Sequence, residues 1–252
     1  MDALGEKQEE RKEELLQLTP HTFPRGAVSG TFLHGLFKNI DFNRPLDQQY
    51  LSDVLTQKGI KAIWLPVIMH WIKSIITIPL DGYSLSLNQL TPASRYAELS
   101  FYLPIDAVVQ AHKLDRICKR YDPLSARCPP LDFLQFRGML KGYIDLVFRW
   151  QGRYYLLEYK SNWLGEDIDA YTRPAIEQAM ITHRYVLQYQ LYALALHRFL
   201  GQRLLDYNYQ RDFGGIYYLF MRGIDLAQPE NGLFYCRPDI VLVEELNNLF
   251  IG

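Results

Sequence analysis

Asp145, Glu158 and Lys160 are the residues of this chain whose types and spacing best suit chemistry. A hairpin turn between the two carboxylates sets Asp145 directly opposite Glu158, with their Cβ atoms ~4.5–5.5 Å apart. Lys160 follows Glu158 by two residues and therefore shares its face of the strand. Two carboxylates at this separation can hold a divalent cation, and a neighbouring lysine can stabilise negative charge. The group suits metal-dependent cleavage of a phosphodiester.

The segment around this group has the composition of a β-hairpin. Residues 143–150 and 153–160 are rich in aromatic and β-branched side chains, which favour strands. The dipeptide Gln151-Gly152 between them fits a tight two-residue turn. This turn pairs Trp150 with Arg153 and so fixes the register in which the carboxylates meet.

The carboxylate pair allows three interpretations, because like charges opposite each other destabilise a strand pair. The pair is solvent-exposed, or one carboxyl has a raised pKa, or a divalent cation is bound. Glu158 lies in the run 154–159, which is apolar on both faces and predicts a buried central strand. A carboxylate there is costly unless it is paired or metal-bound. From the residues alone, Lys160 is either a structural ion-pair partner of Glu158 or part of an active site.

The composition predicts a globular chain without a general attraction to polyanions. The 252 residues are 48% hydrophobic, which is enough for a core in one large domain or two small ones. Asp and Glu number 28 against 27 for Lys and Arg, so any affinity for DNA must be local or supplied by a partner. No GxxxxGK[ST] motif occurs, which argues against an ATPase on this chain.

The cysteines and the apolar segments indicate the cellular compartment of the protein and whether it crosses a membrane. Cys118, Cys128 and Cys236 have no paired spacing for zinc or an iron–sulfur cluster, and three thiols cannot form a closed set of disulfides. This usage is typical of a reducing cytoplasm. The longest apolar stretch, residues 63–80, is interrupted by polar residues and proline, so we expect no membrane span.

Helical and strand patterns alternate along the chain and predict an α/β (α+β) fold, with a mixed central sheet flanked by helices. We expect a charged arm over residues 1–20 and a single domain over 21–252, with a helical portion at 21–95 and the core at 96–252. The predicted helices span residues 31–40, 46–58, 63–78, 107–121, 172–200 (ended by Gly201) and 238–250. The predicted strands are 96–103 (ended by Pro104), the two hairpin strands and 214–221.

Further positions have side chains that can support chemistry. His34 lies on the first predicted helix, and Glu98 lies in an apolar strand, where it can be a supporting or substrate-side group. Tyr185, Gln188 and Tyr192 form one stripe of the long predicted helix. Each has a structural alternative: a core histidine, an ion-paired carboxylate and a stripe of amphipathic residues at the edge of the core.

Taken together, these residues resemble the PD-(D/E)xK nuclease superfamily, and most closely its RecB-type nuclease domains. The most specific stretches are RGMLKGYIDLVF, GRYYLLEYKSNWLGEDIDAY and HRYVLQYQLYALALHRFLG. The resemblance covers nearly everything from Phe23 to the last predicted helix. Such a series in the right order is far more specific than a single D…ExK pattern.

The resemblance implies a set of site residues. The metal ligands would be His34, Asp145, Glu158 and the main-chain carbonyl of Tyr159. Lys160 would be the motif lysine, and Gln188 and Tyr192 match the QxxxY element on the helix beside the site. The chain departs from RecB-type domains in having Glu rather than Asp at position 158, which moves that carboxylate by about the length of one methylene.

The same resemblance implies a Mg²⁺-dependent deoxyribonuclease, with Mn²⁺ or Ca²⁺ able to bind in place of Mg²⁺. Its substrate would be DNA, mainly single-stranded, supplied by a helicase during double-strand-break repair and recombination. The implied partners are RecC, RecD, the RecB helicase portion and the recombinase RecA. Two alternatives stay open: a non-catalytic docking module for RecA, and a metal-dependent hydrolase of another nucleic acid.

Overall fold

The computed structural model describes residues 18–252, which form two compact units. The first unit comprises residues 18–89, Lys160–Thr172 and Phe220–Leu233, and the second comprises Leu90–Tyr159, Arg173–Leu219 and Phe234–Gly252. Most of the predicted charged arm, residues 1–17, lies outside the described residues. The single domain predicted over residues 21–252 stays a prediction.

The first unit contains the three helices predicted near the N-terminus. They are α1 (Ala27–Asn39), α2 (Gln48–Gln57) and α3 (Leu65–Thr77). Helix α2 begins where the side chain of Asp47 accepts a hydrogen bond from the main-chain N–H of Tyr50, which satisfies one of the unpaired donors of the first turn. Helix α3 carries Pro66 in its first turn, where a missing N–H costs nothing.

A buried arginine ties together distant segments of the first unit. Arg222 is almost wholly buried, and its guanidinium donates hydrogen bonds to the main-chain carbonyls of Pro20, Phe23, Pro24 and Ser161. Since a buried charge is costly unless its donors are satisfied, these carbonyls make the burial possible. They fix the segment before α1 against the segment that follows the hairpin.

The second unit carries a five-stranded mixed sheet. Its strands, in spatial order, are β1 (Arg95–Gln110), β2 (Gln135–Trp150), β3 (Arg153–Lys160), β4 (Phe213–Phe220) and β5 (Leu233–Cys236). Strands β1, β2 and β3 pair antiparallel in sequence order. The five-stranded mixed sheet with its helices confirms the predicted α/β fold, although β5 was not predicted.

Six helices accompany the sheet in the second unit. They are α4 (Ala111–Tyr121), α5 (Pro123–Ala126), α6 (Arg173–Thr182), α7 (Tyr185–Arg203), α8 (Tyr209–Asp212) and α9 (Ile240–Ile251). Helix α9 packs on β1 and on α7. Within the described residues, no helix is both long and apolar enough to cross a bilayer.

The predicted end of the first strand at Pro104 was wrong. Strand β1 continues through Pro104, which pairs with Met139, and it ends at Gln110. Because β1 is an edge strand with one neighbour, a residue without an N–H is tolerated where that N–H would face away from β2. The following helix accordingly begins at Ala111 rather than at Ala107.

The single long helix predicted over residues 172–200 is two helices. The break falls at Arg184, which has a left-handed backbone with φ of 55°. Its guanidinium donates to the main-chain carbonyls of Pro129 at 3.2 Å and Pro130 at 2.6 Å, and these contacts hold the break in place. The predicted stop at Gly201 was also wrong, since α7 runs on to Arg203.

A buried carboxylate fixes the position of α7. Asp122 caps α5 by accepting hydrogen bonds from the main-chain N–H groups of Leu124 and Ser125. The same carboxylate accepts hydrogen bonds from the hydroxyl of Tyr189 and the side-chain amide of Gln190, both on α7. Helix α7 is therefore anchored before it reaches the hairpin.

Candidate active site

The hairpin forms with the predicted turn. Gln151 and Gly152 have φ values of 46° and 82°. Positive φ at both central residues is what a type I′ turn requires, and such turns match the twist of the flanking strands. Trp150 pairs with Arg153, as the sequence predicted.

The β2–β3 ladder is regular up to the pair formed by Leu146 and Leu157. Continuing this register by one residue places Asp145 opposite Glu158. There the Asp145 carboxylate crosses to the neighbouring strand, and its Oδ2 accepts a hydrogen bond from the main-chain N–H of Tyr159 at 2.9 Å. This bond orients Asp145 toward the segment of β3 that carries Glu158 and Tyr159, two of the other predicted ligands.

Glu158 is buried and is held by a residue of α7. The side chain of Glu158 is 6% exposed, and its Oε1 accepts a hydrogen bond from Nε2 of Gln188 at 3.0 Å. The same amide donates to the hydroxyl of Tyr192 at 2.8 Å, while Oε1 of Gln188 accepts from the hydroxyl of Tyr218 at 3.1 Å. Because Gln188 is neutral, it orients Glu158 without cancelling its negative charge.

Tyr192 extends this network to the strand that bears Asp145. Its hydroxyl donates to the main-chain carbonyl of Tyr143 at 2.8 Å. Burial, and then the negative charge of Glu158, raise the pKa of Tyr192, so the hydroxyl keeps its proton and continues to donate. The predicted helical stripe thus links α7 to both strands of the hairpin. Gln188 contacts Glu158 in β3, and Tyr192 contacts the carbonyl of Tyr143, two residues before Asp145 in β2.

Tyr159 and Lys160 complete the motif at the end of β3, and both are buried. Burial raises the pKa of the Tyr159 phenol well above its ordinary value, which keeps this side chain neutral. Lys160 lies two residues after Glu158 in the same strand, and side chains two residues apart point to the same side.

Glu98 occupies an unusual backbone position in β1. The β1–β2 pairs on either side of it are regular and place Glu98 level with Asp145. Its φ is 51°, an uncommon and strained conformation for a residue other than glycine. Its side chain is exposed. The sequence predicted a carboxylate in this strand but gave no sign of the local strain.

His34 lies on α1 of the first unit, half-buried, with Leu33 and Phe37 buried beside it. Its place as a third side-chain ligand stays a prediction. Among the described residues, no group of three or more His, Cys, Asp or Glu side chains that could hold a metal ion is found. The donors that the hairpin provides are oxygens, from Asp145, Glu158 and the Tyr159 carbonyl, and these are the donors that Mg²⁺ prefers.

The mixed sheet and its flanking helices form an α/β fold of the PD-(D/E)xK nuclease type. The hairpin carboxylates and the Gln188–Tyr192 pair lie at the positions that this fold predicts for its motif. No family model matches the chain. The RecBCD enzyme subunit RecB of Escherichia coli is 52% identical over 235 residues, which are 93% of this chain and 20% of that protein. The subunit of the same name from Haemophilus influenzae is 35% identical over 228 residues, 90% of this chain and 19% of its own length.

The relationship extends to more distant bacteria. RecBCD enzyme subunit RecB of Mycobacterium tuberculosis is 29% identical over 262 aligned residues, covering 90% of this chain and 24% of that protein. The chain is therefore a relative of RecB over nearly its whole length, and the resemblance predicted from the sequence is confirmed. It spans about a fifth of the length of these relatives, which is consistent with a match to their C-terminal nuclease domain.

Proposed function

We propose that the chain is a divalent-metal-dependent DNA nuclease, the nuclease domain of a helicase–nuclease that works in double-strand-break repair and recombination. The observation that carries this proposal is the hydrogen-bonded hairpin. Tyr159 orients Asp145 and Gln188 orients Glu158, so two carboxylates are held on adjacent strands. The 52% identity to a protein named RecBCD enzyme subunit RecB supports the same conclusion.

The oxygen donors of the hairpin fit a hard divalent cation. Asp145, Glu158 and the Tyr159 carbonyl would hold Mg²⁺ together with His34, and Mn²⁺ or Ca²⁺ can bind in its place. When bound, the metal would lower the pKa of a water ligand and neutralise negative charge on the phosphate.

The residues around the metal ligands have separate tasks. Lys160 would orient the attacking water and stabilise the negative charge that develops on the phosphate. Gln188 and Tyr192 keep Glu158 in place through the network on α7. Glu98, level with Asp145 and exposed, is assigned to the side from which the substrate approaches.

The charge of the chain and the names of its relatives support the proposed substrate and partners. With a formal net charge of −1, the chain has no field that would gather DNA by itself, so we propose that a helicase delivers the strand, mainly as single-stranded DNA. The relatives are named as subunits of the RecBCD enzyme, which makes RecC, RecD and the RecB helicase portion the proposed partners. Docking of RecA and a cytoplasmic location stay predictions from the sequence.

A nuclease assay tests the proposal. The chain is incubated with single-stranded and double-stranded DNA, with Mg²⁺ or with a chelator, beside the variant Asp145→Asn. Asparagine keeps an oxygen that can accept from the N–H of Tyr159 but removes the charge that binds metal. We expect Mg²⁺-dependent cleavage by the parent and none by the variant. Cleavage in chelator, or equal cleavage by a purified variant, would exclude this active site.

A further inference from the structure

Three tyrosines are exposed on two neighbouring strands of the sheet in the second unit. Tyr96, Tyr102 and Tyr143 are 61%, 59% and 53% exposed. They lie on the edge strand β1 and on its neighbour β2, the strand that carries Asp145. Exposed aromatic side chains grouped on one surface commonly mark a binding site.

The strand register places these tyrosines on one face. Tyr102 pairs with Lys141, and Tyr143 is two residues after Lys141 in β2, so their side chains share a side of the sheet. Asp145 is a further two residues along, roughly 7 Å from Tyr143 in the strand direction. On the other side of Asp145, Tyr96 pairs with Val147. The tyrosines therefore flank the position of the proposed metal ligand.

The opposite face of the same strands is the core face. Leu103 and Ile105 of β1 and Ile144 and Leu146 of β2 are all about 1% exposed, and they alternate with the exposed residues. The face that carries the tyrosines is therefore the more exposed one, although Val147, which pairs with Tyr96, is buried. More than half of the surface of each tyrosine lies outside the core. Their exposure needs a different explanation.

A lysine lies between two of the rings. The Lys141 Nζ is 5.4 Å from the ring centroid of Tyr102 and 5.5 Å from that of Tyr143. Lys141 is exposed, so its charge is accessible to a ligand. Aromatic rings that stack on bases, next to a cation that contacts the backbone, are how proteins bind single-stranded nucleic acid.

The carboxylates on this face limit where a polyanion can lie. Glu98 and Asp145 occupy the row between Tyr143 and Tyr96, and Lys141 lies on the far side of Tyr143. A strand that crosses this row needs a cation to neutralise its phosphate there, and that is where the proposed metal would be. A duplex is a poorer fit, because its bases are already stacked on each other.

We propose that Tyr96, Tyr102, Lys141 and Tyr143 form a stacking platform for unpaired bases of single-stranded DNA beside Asp145. The inference rests on the proposed nuclease function for the identity of the strand. Bases on the two sides of the cleaved bond stack on Tyr143 with Tyr102 and on Tyr96, while Lys141 contacts a phosphate. The affinity of the platform for single-stranded DNA depends on the presence of bases but not on their sequence.

Binding to two fluorescent oligonucleotides tests the platform. One is single-stranded and of mixed sequence, and the other has the same number of phosphates but abasic sites in place of the bases. Anisotropy is measured with Ca²⁺ in place of Mg²⁺, which keeps a cation beside the carboxylates, and each oligonucleotide is checked for cleavage on a gel after the measurement. We expect the parent to bind the oligonucleotide with bases more tightly, because only this one can stack.

The variants Tyr102→Ala and Tyr143→Ala should each weaken binding to the oligonucleotide with bases by roughly 5- to 100-fold and leave binding to the abasic one unchanged. Tyr143→Phe should bind as the parent does, because it keeps the ring. Tyr83→Ala is the matched control, since Tyr83 is 92% exposed and belongs to the first unit. Lys141→Gln should weaken binding to both oligonucleotides and reduce the salt slope by ~0.7.

Two results would overturn the platform. The first is equal binding of both oligonucleotides by the parent. The second is that the alanine variants bind the oligonucleotide with bases as tightly as the parent does. The second result would mean that these tyrosines bind a different partner. Circular dichroism of each variant confirms that it is folded.

If base-dependent binding is absent while Mg²⁺-dependent cleavage persists, only the platform is wrong. If binding behaves as expected but no cleavage occurs, the nuclease function is wrong and the platform stands.

Discussion

At the scale of single residues, two carboxylates of the candidate site are each oriented by an identified hydrogen-bond donor. The main-chain N–H of Tyr159 orients Asp145, and the neutral amide of Gln188 orients Glu158. Both donors are uncharged, so they orient the two carboxylates without forming an ion pair with them. The Glu158 side chain is long enough to reach Gln188 on α7, with 3.0 Å between Oε1 and Nε2.

Lys160 distinguishes an active site from a structural ion pair. We expect Lys160→Gln to leave Mn²⁺ affinity nearly unchanged and to lower turnover by ~10²- to 10³-fold, since a lysine that acts on the transition state contributes little to metal binding. Calorimetric titration of Mn²⁺ beside a rate assay measures both quantities. Lys113→Gln, on the exposed side of α4, is the matched control.

The opposite outcome for Lys160 is equally clear. If Lys160→Gln loses metal binding and thermal stability together, this lysine is the structural partner of Glu158, and the motif lysine has no separate catalytic task.

At the scale of elements, local signals were predictable and tertiary effects were not. The Gln151-Gly152 turn was correctly predicted because turn chemistry fixes the register within a few residues. The break at Arg184 was missed because it depends on carbonyls of Pro129 and Pro130, more than fifty residues away along the chain. Pro104 was misread because its tolerance depends on β1 being an edge strand, which only the assembled sheet shows.

The candidate site shows the same division. Hairpin spacing alone predicts that Asp145, Glu158 and Lys160 lie together, and helical spacing predicts the stripe on α7. The contact of Gln188 with Glu158 required the packing of α7 on the hairpin, which no local pattern encodes. The exposed tyrosines were not predicted at all, because strand composition does not show which face of an edge strand is uncovered.

Helix α7 should therefore act on the site through Gln188. Gln188→Met has a similar shape but none of the hydrogen bonds, so Glu158 loses its orienting donor. We expect metal affinity or activity to fall by ~10- to 100-fold, which is usual when a residue that supports a ligand is removed. Gln178→Met, exposed on α6, provides the control. Mn²⁺ titration and rate assays give the two readouts, and parent values in both would mean that the stripe only packs.

At the scale of the whole molecule, the chain combines an almost neutral charge with the proposed site for DNA. A formal net charge of −1 provides no long-range attraction for DNA. The DNA binding that we propose therefore depends on short-range contacts and on a partner protein that presents the strand. This fits a chain that matches about a fifth of each of its longer relatives.

Metal binding should be visible in the stability of the whole chain. Without metal, the two carboxylates repel each other, so Asp145→Asn should melt at or above the temperature of the parent, because the asparagine oxygen still accepts from Tyr159. With divalent metal at ~100-fold its Kd, the parent gains about 2.7 kcal/mol, and its melting temperature should rise by roughly 5–10 °C. In Asp145→Asn this rise should disappear.

The same measurement tests His34, whose role was assigned through the resemblance. In His34→Ala the rise in melting temperature should be smaller than in the parent, because one ligand is missing. A neutral imidazole is needed for ligation, so in the parent the rise should also shrink as the pH falls below about 6.5, the reference pKa of histidine. Differential scanning calorimetry with Mn²⁺ at several pH values measures both effects. If His34→Ala shows the full rise and the parent's pH dependence, His34 is a packing residue of α1, and the metal depends on the hairpin alone.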